Sequence, residues 1–337
     1  MLLLCRSDVA RLLDPASCIA AVERAFAELG AGRAPAPGAL GHPAVGGGFH
    51  VKVASLRLDQ PYFAAKSNGN FFGNPSRGLP RIQGVIVLAD AGTGTPLAVM
   101  DSIEITALRT AATTAVAAKH LARPDSSVIA LVGCGVQGRV HARSLRHVLP
   151  LRRVLAVDED GEVARRFAAD MTSELGMDVE PVSRLAAATR AADVVVTCTP
   201  ARKPILRRAD VRDGAFIAAV GADAEDKQEI DPDLFTSSAI VVDAMDQCAA
   251  FGDLHHALAS GAVMRDDVRG DLAAVVARRI EGRRTDAEVV LFDSTGVAIE
   301  DVAAAAVVYE RALATGAGLA IDLASDASSH NQGIAPK

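Results

Sequence analysis

The sequence predicts an α/β fold in two parts: a parallel sheet wound with helices, and a smaller α+β portion that precedes it. Three observations predict it. Beyond Pro124, apolar β-type runs alternate with helical patterns, as in a parallel sheet covered on both faces. Before it, short β-prone runs separated by turns follow one amphipathic helix. Near the start of the second part lies the turn Gly133-Cys134-Gly135-Val136-Gln137-Gly138, which follows an apolar run and opens a helical pattern. With 337 residues, half of them hydrophobic, the chain can bury one large or two moderate cores.

Asp14-Pro15 reads as a helix N-cap and first helical residue. Ile19, Val22, Phe26 and Leu29 follow at helical spacing until Gly30. Residues 33–48 are rich in Ala, Pro and Gly and read as a loop. Residues 49–56, 62–66 and 84–89 read as strands of a small sheet, with Ala91-Gly92-Thr93-Gly94 as a turn. An Ala-rich helix over residues 103–122 ends where Pro124 blocks continuation, and it links the two parts. Strands of the second part are expected at 128–132, 154–157, 193–198, 216–220, 240–242 and 289–292. A last helix, near 299–315, is placed to pack back on the first part. The division that results is residues 1–122 plus 299–324 for a substrate-binding and dimerisation domain, 123–298 for a nucleotide-binding domain, and 325–337 for a polar, disordered tail.

A formal charge of -6 without a long Lys/Arg run argues against nucleic acid and against an anionic membrane surface. No apolar stretch reaches the ~18 residues of a membrane span. The start, with no basic residue ahead of its short apolar run, does not read as a signal peptide. Five scattered cysteines, none spaced C-x-x-C, fit reduced thiols in a cytoplasmic protein. A small-molecule partner is the expectation.

The glycine turn is a weak signal alone, and its setting strengthens it. Gly133 would permit the tight turn, Gly135 the close approach of a pyrophosphate, and Gly138 the packing of helix on strand, the Rossmann arrangement. Asp158, closing the second strand, has the position of the carboxylate that accepts ribose hydroxyls and repels a 2′-phosphate, which favours NAD. Its plainer reading is a cap for the next helix. Arg165 and Arg166 leave room for NADP.

On the linking helix, Thr106, Arg109, Thr110 and Thr113 share one face. That face is either solvated or a site for a carboxylate or phosphate. Lys66 and Lys52 lie on strands and read either as site cations or as solvated edge lysines. Asp223 follows the end of a parallel strand, where ligands gather, and its plainer reading is a helix N-cap. His255-His256 lacks a completing ligand set and receives no role. Cys134 reads as a small filler.

Together these segments resemble the ornithine cyclodeaminase and mu-crystallin family over roughly residues 8–318. The landmarks are Lys66 with Asn70 and Gly78-Leu79-Pro80, Thr93-Gly94, Asp101, Ile105-Thr106 with Arg109-Thr110-Ala111-Ala112, and Gly133-x-Gly135-x-Gln137. They continue with Thr199-Pro200, Gly221-Ala222-Asp223 with Lys227-x-Glu229, Gly252-Asp253-Leu254, and Phe292-Asp293-Ser294-Thr295-Gly296. The resemblance implies a homodimer, a substrate carboxylate on Lys66 and Arg109, and proton handling by Asp223 at the reacting nitrogen, with Lys66 beside it. It implies cofactor contacts from Arg109, Thr110, Gly133, Gly135, Val136, Gln137, Asp158, Thr199, the turn Val220-Gly221-Ala222-Asp223, Lys227 and Ser294.

The chain departs from the family pattern in one place. Family cyclodeaminases carry a further carboxylate-binding arginine before the first sheet, and here no arginine lies between Arg33 and Arg57; the equivalent position falls near Gly38, with Lys52 or His42 as substitutes. The resemblance therefore implies an NAD(P)-dependent reductase of α-imino acids, or an amino-acid dehydrogenase, acting at the α C–N bond. The alternatives are redox-neutral ornithine cyclodeamination to proline and ammonia, and a non-catalytic, crystallin-like NAD(P)-binding protein.

Overall fold

The computed structural model describes residues 1–323. It begins with β1 (Leu2–Leu4), α1 (Arg6–Leu12), α2 (Pro15–Gly30), β2 (Gly38–Ala44), β3 (Gly47–Arg57), β4 (Pro61–Phe71), β5 (Ile82–Asp90), β6 (Pro96–Asp101) and α3 (Ile103–Leu121). The second part contains β7 (Val128–Val132), α4 (Val136–Leu145), β8 (Arg153–Val157), α5 (Gly161–Leu175), β9 (Asp178–Pro181), α6 (Leu185–Ala191), β10 (Val194–Thr197), β11 (Arg202–Leu206) and β12 (Phe216–Ala219). It goes on through β13 (Gln228–Ile230), α7 (Pro232–Thr236), β14 (Ala239–Val242), α8 (Met245–Phe251), α9 (Asp253–Ala259), β15 (Val268–Asp271), α10 (Leu272–Val276) and β16 (Val290–Asp293). The chain then returns through α11 (Ala298–Thr315) and β17 (Leu319–Ala320).

The first sheet has the order β17-β1-β6-β5-β4-β3-β2, and β2 to β6 form an antiparallel meander. α11 lies against β3, β4 and β5 on one side and α2 and α3 on the other, as its position in the sequence predicts. The apolar side chains of α11 account for this packing: Ile299, Val302, Ala303, Ala306 and Val308 are all fully or almost fully buried. Asp14 caps α2 by accepting from the Ser17 amide at 2.9 Å, with Pro15 at the first position, as read.

Residues 33–48 are not the loop that composition predicts. Seven of them form β2, whose residues pair with β3 from Gly38↔Val53 to Ala44↔Gly47. Alanine, glycine and proline are poor strand formers, but β2 is an edge strand, where proline is tolerated, and the pairing with β3 overrides local preference. Tertiary pairing likewise extends β4 to Phe71, past Lys66, and forms β1 and β6, which the sequence reading omits.

The second sheet has eight strands in the order β15-β14-β16-β12-β10-β7-β8-β9, and every adjacent pair is parallel. All six expected strands are present, within about two residues at each end. The chain starts this sheet at β7 and moves outward to β8 and β9 before returning to β10 on the other side. This reversal opens a crevice at the strand ends, where ligands bind in such sheets. Among the described residues, no helix is long and apolar enough to cross a membrane. The expected disordered tail, 325–337, lies outside the described residues.

Candidate active site

The glycine turn occupies the end of β7, next to the reversal. Gly133 has φ 104°, a left-handed conformation that glycine adopts without penalty, and its N–H bonds to the Val157 carbonyl at 2.8 Å. A Cβ on Gly138 would overlap the Gly133 carbonyl oxygen, so the helix and turn meet only because that side chain is absent. Gly135 is the N-cap of α4, and no side chain among the described residues caps it. A Cβ on Gly135 would meet nothing within 4 Å. First-turn amides with the positive end of a helix dipole therefore face open space.

Two further groups complete this end of the crevice. Gln137 Oε1 is buried without a hydrogen-bond partner among the described residues. Asp158, just beyond β8, accepts from the Cys134 amide at 2.9 Å and from the Asp160 amide at 3.1 Å. The plainer reading of Asp158 as a helix cap is displaced, because Asp160 is the N-cap of α5. Arg165 is paired with Glu162 at 2.7 Å on the exposed side of α5. Cys134 is buried, as a filler should be, and burial pushes its thiol up to about 12.

The cations of the first sheet meet where α11 crosses it. Lys66 Nζ on β4 lies 2.8 and 2.7 Å from the two oxygens of Asp301. Arg109 on α3 donates to Glu300 at 2.7 Å and places Nε 3.2 Å from Asp301. Lys52 on β3 donates to the carbonyls of Thr295 and Gly296, at 3.0 and 2.6 Å. Gly296, at φ 80°, is pressed so close to Arg109 that a Cβ would overlap the guanidinium. Lys52, Gly296, Arg109, Asp301 and Lys66 thus form one contiguous cluster joining the two sheets.

The edge-lysine and solvated-face readings are therefore corrected. Lys66 and Arg109 are only 3% and 5% exposed, and Thr113 is buried. Burial lowers the Lys66 ammonium to about 7, with Arg109 adding repulsion and Asp301 offsetting part of it. Burial and Arg109 lower Lys52 as well. For Arg109 burial opposes the charge, but Asp301 and Glu300 outweigh it and hold the guanidinium ionised. Asp301 stays below the ordinary range: burial works to raise it, and Lys66 and Arg109 prevail.

A second group of carboxyls supports the strand ends. Asp243 accepts from Ser294 Oγ at 2.9 Å and from the Gly296 amide at 2.6 Å, shaping the loop that Lys52 grips. Asp293 accepts from the Leu254 amide at 2.9 Å, and burial raises it to about 7. Thr110 turns its hydroxyl back to the Thr106 carbonyl at 2.8 Å. Thr199 gives its hydroxyl and amide to Glu229, at 2.7 and 2.6 Å.

Asp223 is placed differently. It follows β12 in a turn with Val220, Gly221 and Ala222, exposed itself while Ala222 is buried, and its ion pair is with Lys227, not with the buried cations. No helix begins there, so the N-cap reading fails. His42, offered as a substitute for the missing arginine, is exposed on the edge strand, whereas Lys52 reaches the cluster. His255 and His256 contact each other edge to face and bond to the carbonyls of Ala249 and Lys227.

The sequence reading missed Glu300, Asp301 and Asp243. A signal for the first two was present: adjacent acids inside the apolar run Ala298-Ile299-Glu300-Asp301-Val302-Ala303 require partners if the helix is buried.

A doubly wound parallel sheet with an open glycine cradle at its reversal defines a Rossmann-type, dinucleotide-binding class of protein, here with cations from the first part packed against the loop after β16. The chain belongs to the ornithine cyclodeaminase/mu-crystallin family, whose family model matches residues 1–316. An alanine dehydrogenase of Archaeoglobus fulgidus is 36% identical over 318 residues, 94% of this chain and 97% of that protein. A solved archaeal alanine dehydrogenase dimer with bound NAD superposes with a TM-score of 0.92 at 36% identity, covering 96% of this chain and 99% of the other. Thermococcus litoralis Δ1-pyrroline-2-carboxylate reductase, solved with NADH and L-proline, gives 0.89 at 33% identity over 95% and 100% of the two chains.

Proposed function

We propose that the chain is an NAD-dependent oxidoreductase acting at the α C–N bond of a small amino or imino acid, as an imino-acid reductase or amino-acid dehydrogenase. The observation that carries this reading is the contiguous cluster of half-buried Lys52 with buried Arg109 and Lys66, which grips the loop after β16 of the same parallel sheet that carries the glycine cradle. Three clustered cations, two of them buried, joined to the parallel sheet by Gly296 suit an anionic substrate group held against a cofactor.

The cradle fits the cofactor. Gly133, Gly135, Val136 and Gln137 would hold its pyrophosphate, and Asp158 its adenosine ribose. Arg109, Thr110, Thr199, the turn Val220-Gly221-Ala222, Lys227 and Ser294 would line the remainder. When bound, the nicotinamide supplies or accepts the hydride at the substrate's α-carbon. Lys66 and Arg109 orient the substrate through its carboxylate, with Lys52 in reach, and fix the α-carbon for transfer. Asp223, on a turn at the crevice, gives or takes the proton at nitrogen. Residues 1–122 with α11 form the substrate part, and residues 123–298 the cofactor part.

The assembly is a homodimer through the first sheet. Its face opposite α11 leaves Leu40, Phe49 and Val85 exposed at 65%, 42% and 44%, an apolar surface that a second copy would cover. The five cysteines are free thiols, which suits the reducing cytoplasm.

A panel of 2-oxo acids with ammonia, and of cyclic imino acids, run with NADH and with NADPH, tests the reading by loss of reduced-cofactor absorbance. Ornithine with catalytic NAD is the decisive control: proline and ammonia without net NADH would replace the reductase with a cyclodeaminase. Silence of the whole panel, despite NADH binding, would favour the non-catalytic alternative.

A further inference from the structure

Glu229 belongs to a landmark that no function has absorbed. It sits on the short strand β13, is 0% exposed, and has no basic partner among its hydrogen bonds. Oε1 accepts from the amide and hydroxyl of Thr199, at 2.6 and 2.7 Å. Oε2 accepts from the Thr197 hydroxyl at 2.7 Å and from the Gly221 amide at 2.8 Å. A single carboxylate therefore ties the loop after β10 to the loop after β12. Gly221 is so close that a Cβ would overlap both Thr199 O and the Glu229 carboxylate.

Neighbouring contacts strengthen the tie. The Gln228 amide donates to Ala201 O at 3.0 Å, and Lys227 Nζ donates to Gly221 O at 3.2 Å. Asp253 accepts from the amides of Glu229 and Ile230, at 2.8 and 2.9 Å, and so fixes β13 itself. Burying an acid without a counter-cation is costly, and apolar residues would hold two loops at less expense. Four donors converging on two loops at the strand ends point instead to a need for their exact placement.

Sheet order says what those loops serve. Asp158 and the glycine turn lie on the β7–β8 side of the reversal, which takes the adenosine half of a dinucleotide; β10 and β12 lie across it, on the side of the other half. We propose that Glu229 is a positioning residue that fixes the two loops receiving the nicotinamide half. This rests on the cofactor reading given above.

The test compares NADH, followed by its fluorescence on binding, with ADP, which presents the adenosine half alone and is followed by calorimetry. In Glu229→Gln the amide loses acceptors for two of the four donors, so the melting temperature should fall somewhat, and NADH affinity should fall roughly tenfold to a hundredfold, with ADP affinity held. Thr197→Val removes one bond and should give a smaller loss of the same kind; it decides the matter if Glu229→Gln does not fold. Unchanged NADH binding overturns the proposal. So does a parallel loss for both ligands, which marks general scaffolding. A wild-type chain that binds neither ligand refutes the cofactor reading, and the proposal with it.

Discussion

Lys66 and Asp301 stand 235 positions apart in the chain and meet as a buried ion pair, with side chains 4% and 2% exposed. Their meeting joins α11 to β4. Such a pair contributes little net stability, because desolvating both charges offsets their attraction. Its consequence is chemical: burial and Arg109 bring the Lys66 ammonium down to about 7, while Asp301 keeps it from falling further.

Substrate capture should therefore weaken as the pH rises through about 7, because deprotonated Lys66 no longer attracts a carboxylate. Removing the Asp301 charge takes away an influence that raises Lys66. Asp301→Asn should move the inflection in kcat/KM to lower pH. The variant also strands a buried cation, at a cost of about 3–5 kcal/mol, so folding is checked first by circular dichroism. An inflection that stays in place would show that another group controls capture.

Asp223 is the exposed partner of Lys227, free of the buried cluster. As the proton donor and acceptor at nitrogen, its replacement should damage turnover and spare the cofactor. Asp223→Asn should lower kcat by at least about a hundredfold, with NADH affinity within about twofold of wild type. Near-normal turnover would remove the residue from the mechanism.

Asp158 has two uses that a cofactor series separates. Its carboxylate braces the Cys134 amide, and it stands where a ribose hydroxyl would bond. Asp158→Ser should raise the NADPH-to-NADH ratio of kcat/KM by about tenfold or more, since it removes the charge that repels a 2′-phosphate. Loss of both cofactors in proportion would mean that the residue serves the turn alone.

The six inner strands of the parallel sheet were legible because they are buried on both faces, so runs such as Val128-Ile129-Ala130-Leu131-Val132 and Ile240-Val241-Val242 are apolar throughout and need no partner to be recognised, whereas the partly exposed edge strands β9 and β15 were not read. The glycine turn was legible because its spacing is local. β2 was not, because its alanines, glycines and proline become a strand only through pairing with β3. Lys66 and Arg109 could be singled out by residue type, but their partners Glu300 and Asp301 arrive from the far end of the chain. Contacts across so many residues leave no periodicity to read.

His141 gives a prediction about stability. It is fully buried between α3 and α4, with Nε2 2.9 Å from Thr114 Oγ1 and Nδ1 2.8 Å from Gln137 O. The Gln137 carbonyl can only accept, so Nδ1 carries the proton and Nε2 accepts from Thr114. Burial lowers the imidazole to about 4, against the opposing effect of the Gln137 bond. The unfolded chain, with an ordinary histidine near 6.5, binds the proton first as the pH falls. The contribution is thus complete above about 6.5 and is lost progressively down to about 4, at a rate of about 1.4 kcal/mol per pH unit and roughly 3 kcal/mol in all. Buried carboxylates add their own acid dependence, so the comparison is between wild type and His141→Gln in urea melts across that window. The variant should start less stable at pH 7 and show the shallower decline. Parallel slopes would mean that His141 charges without loss of the fold.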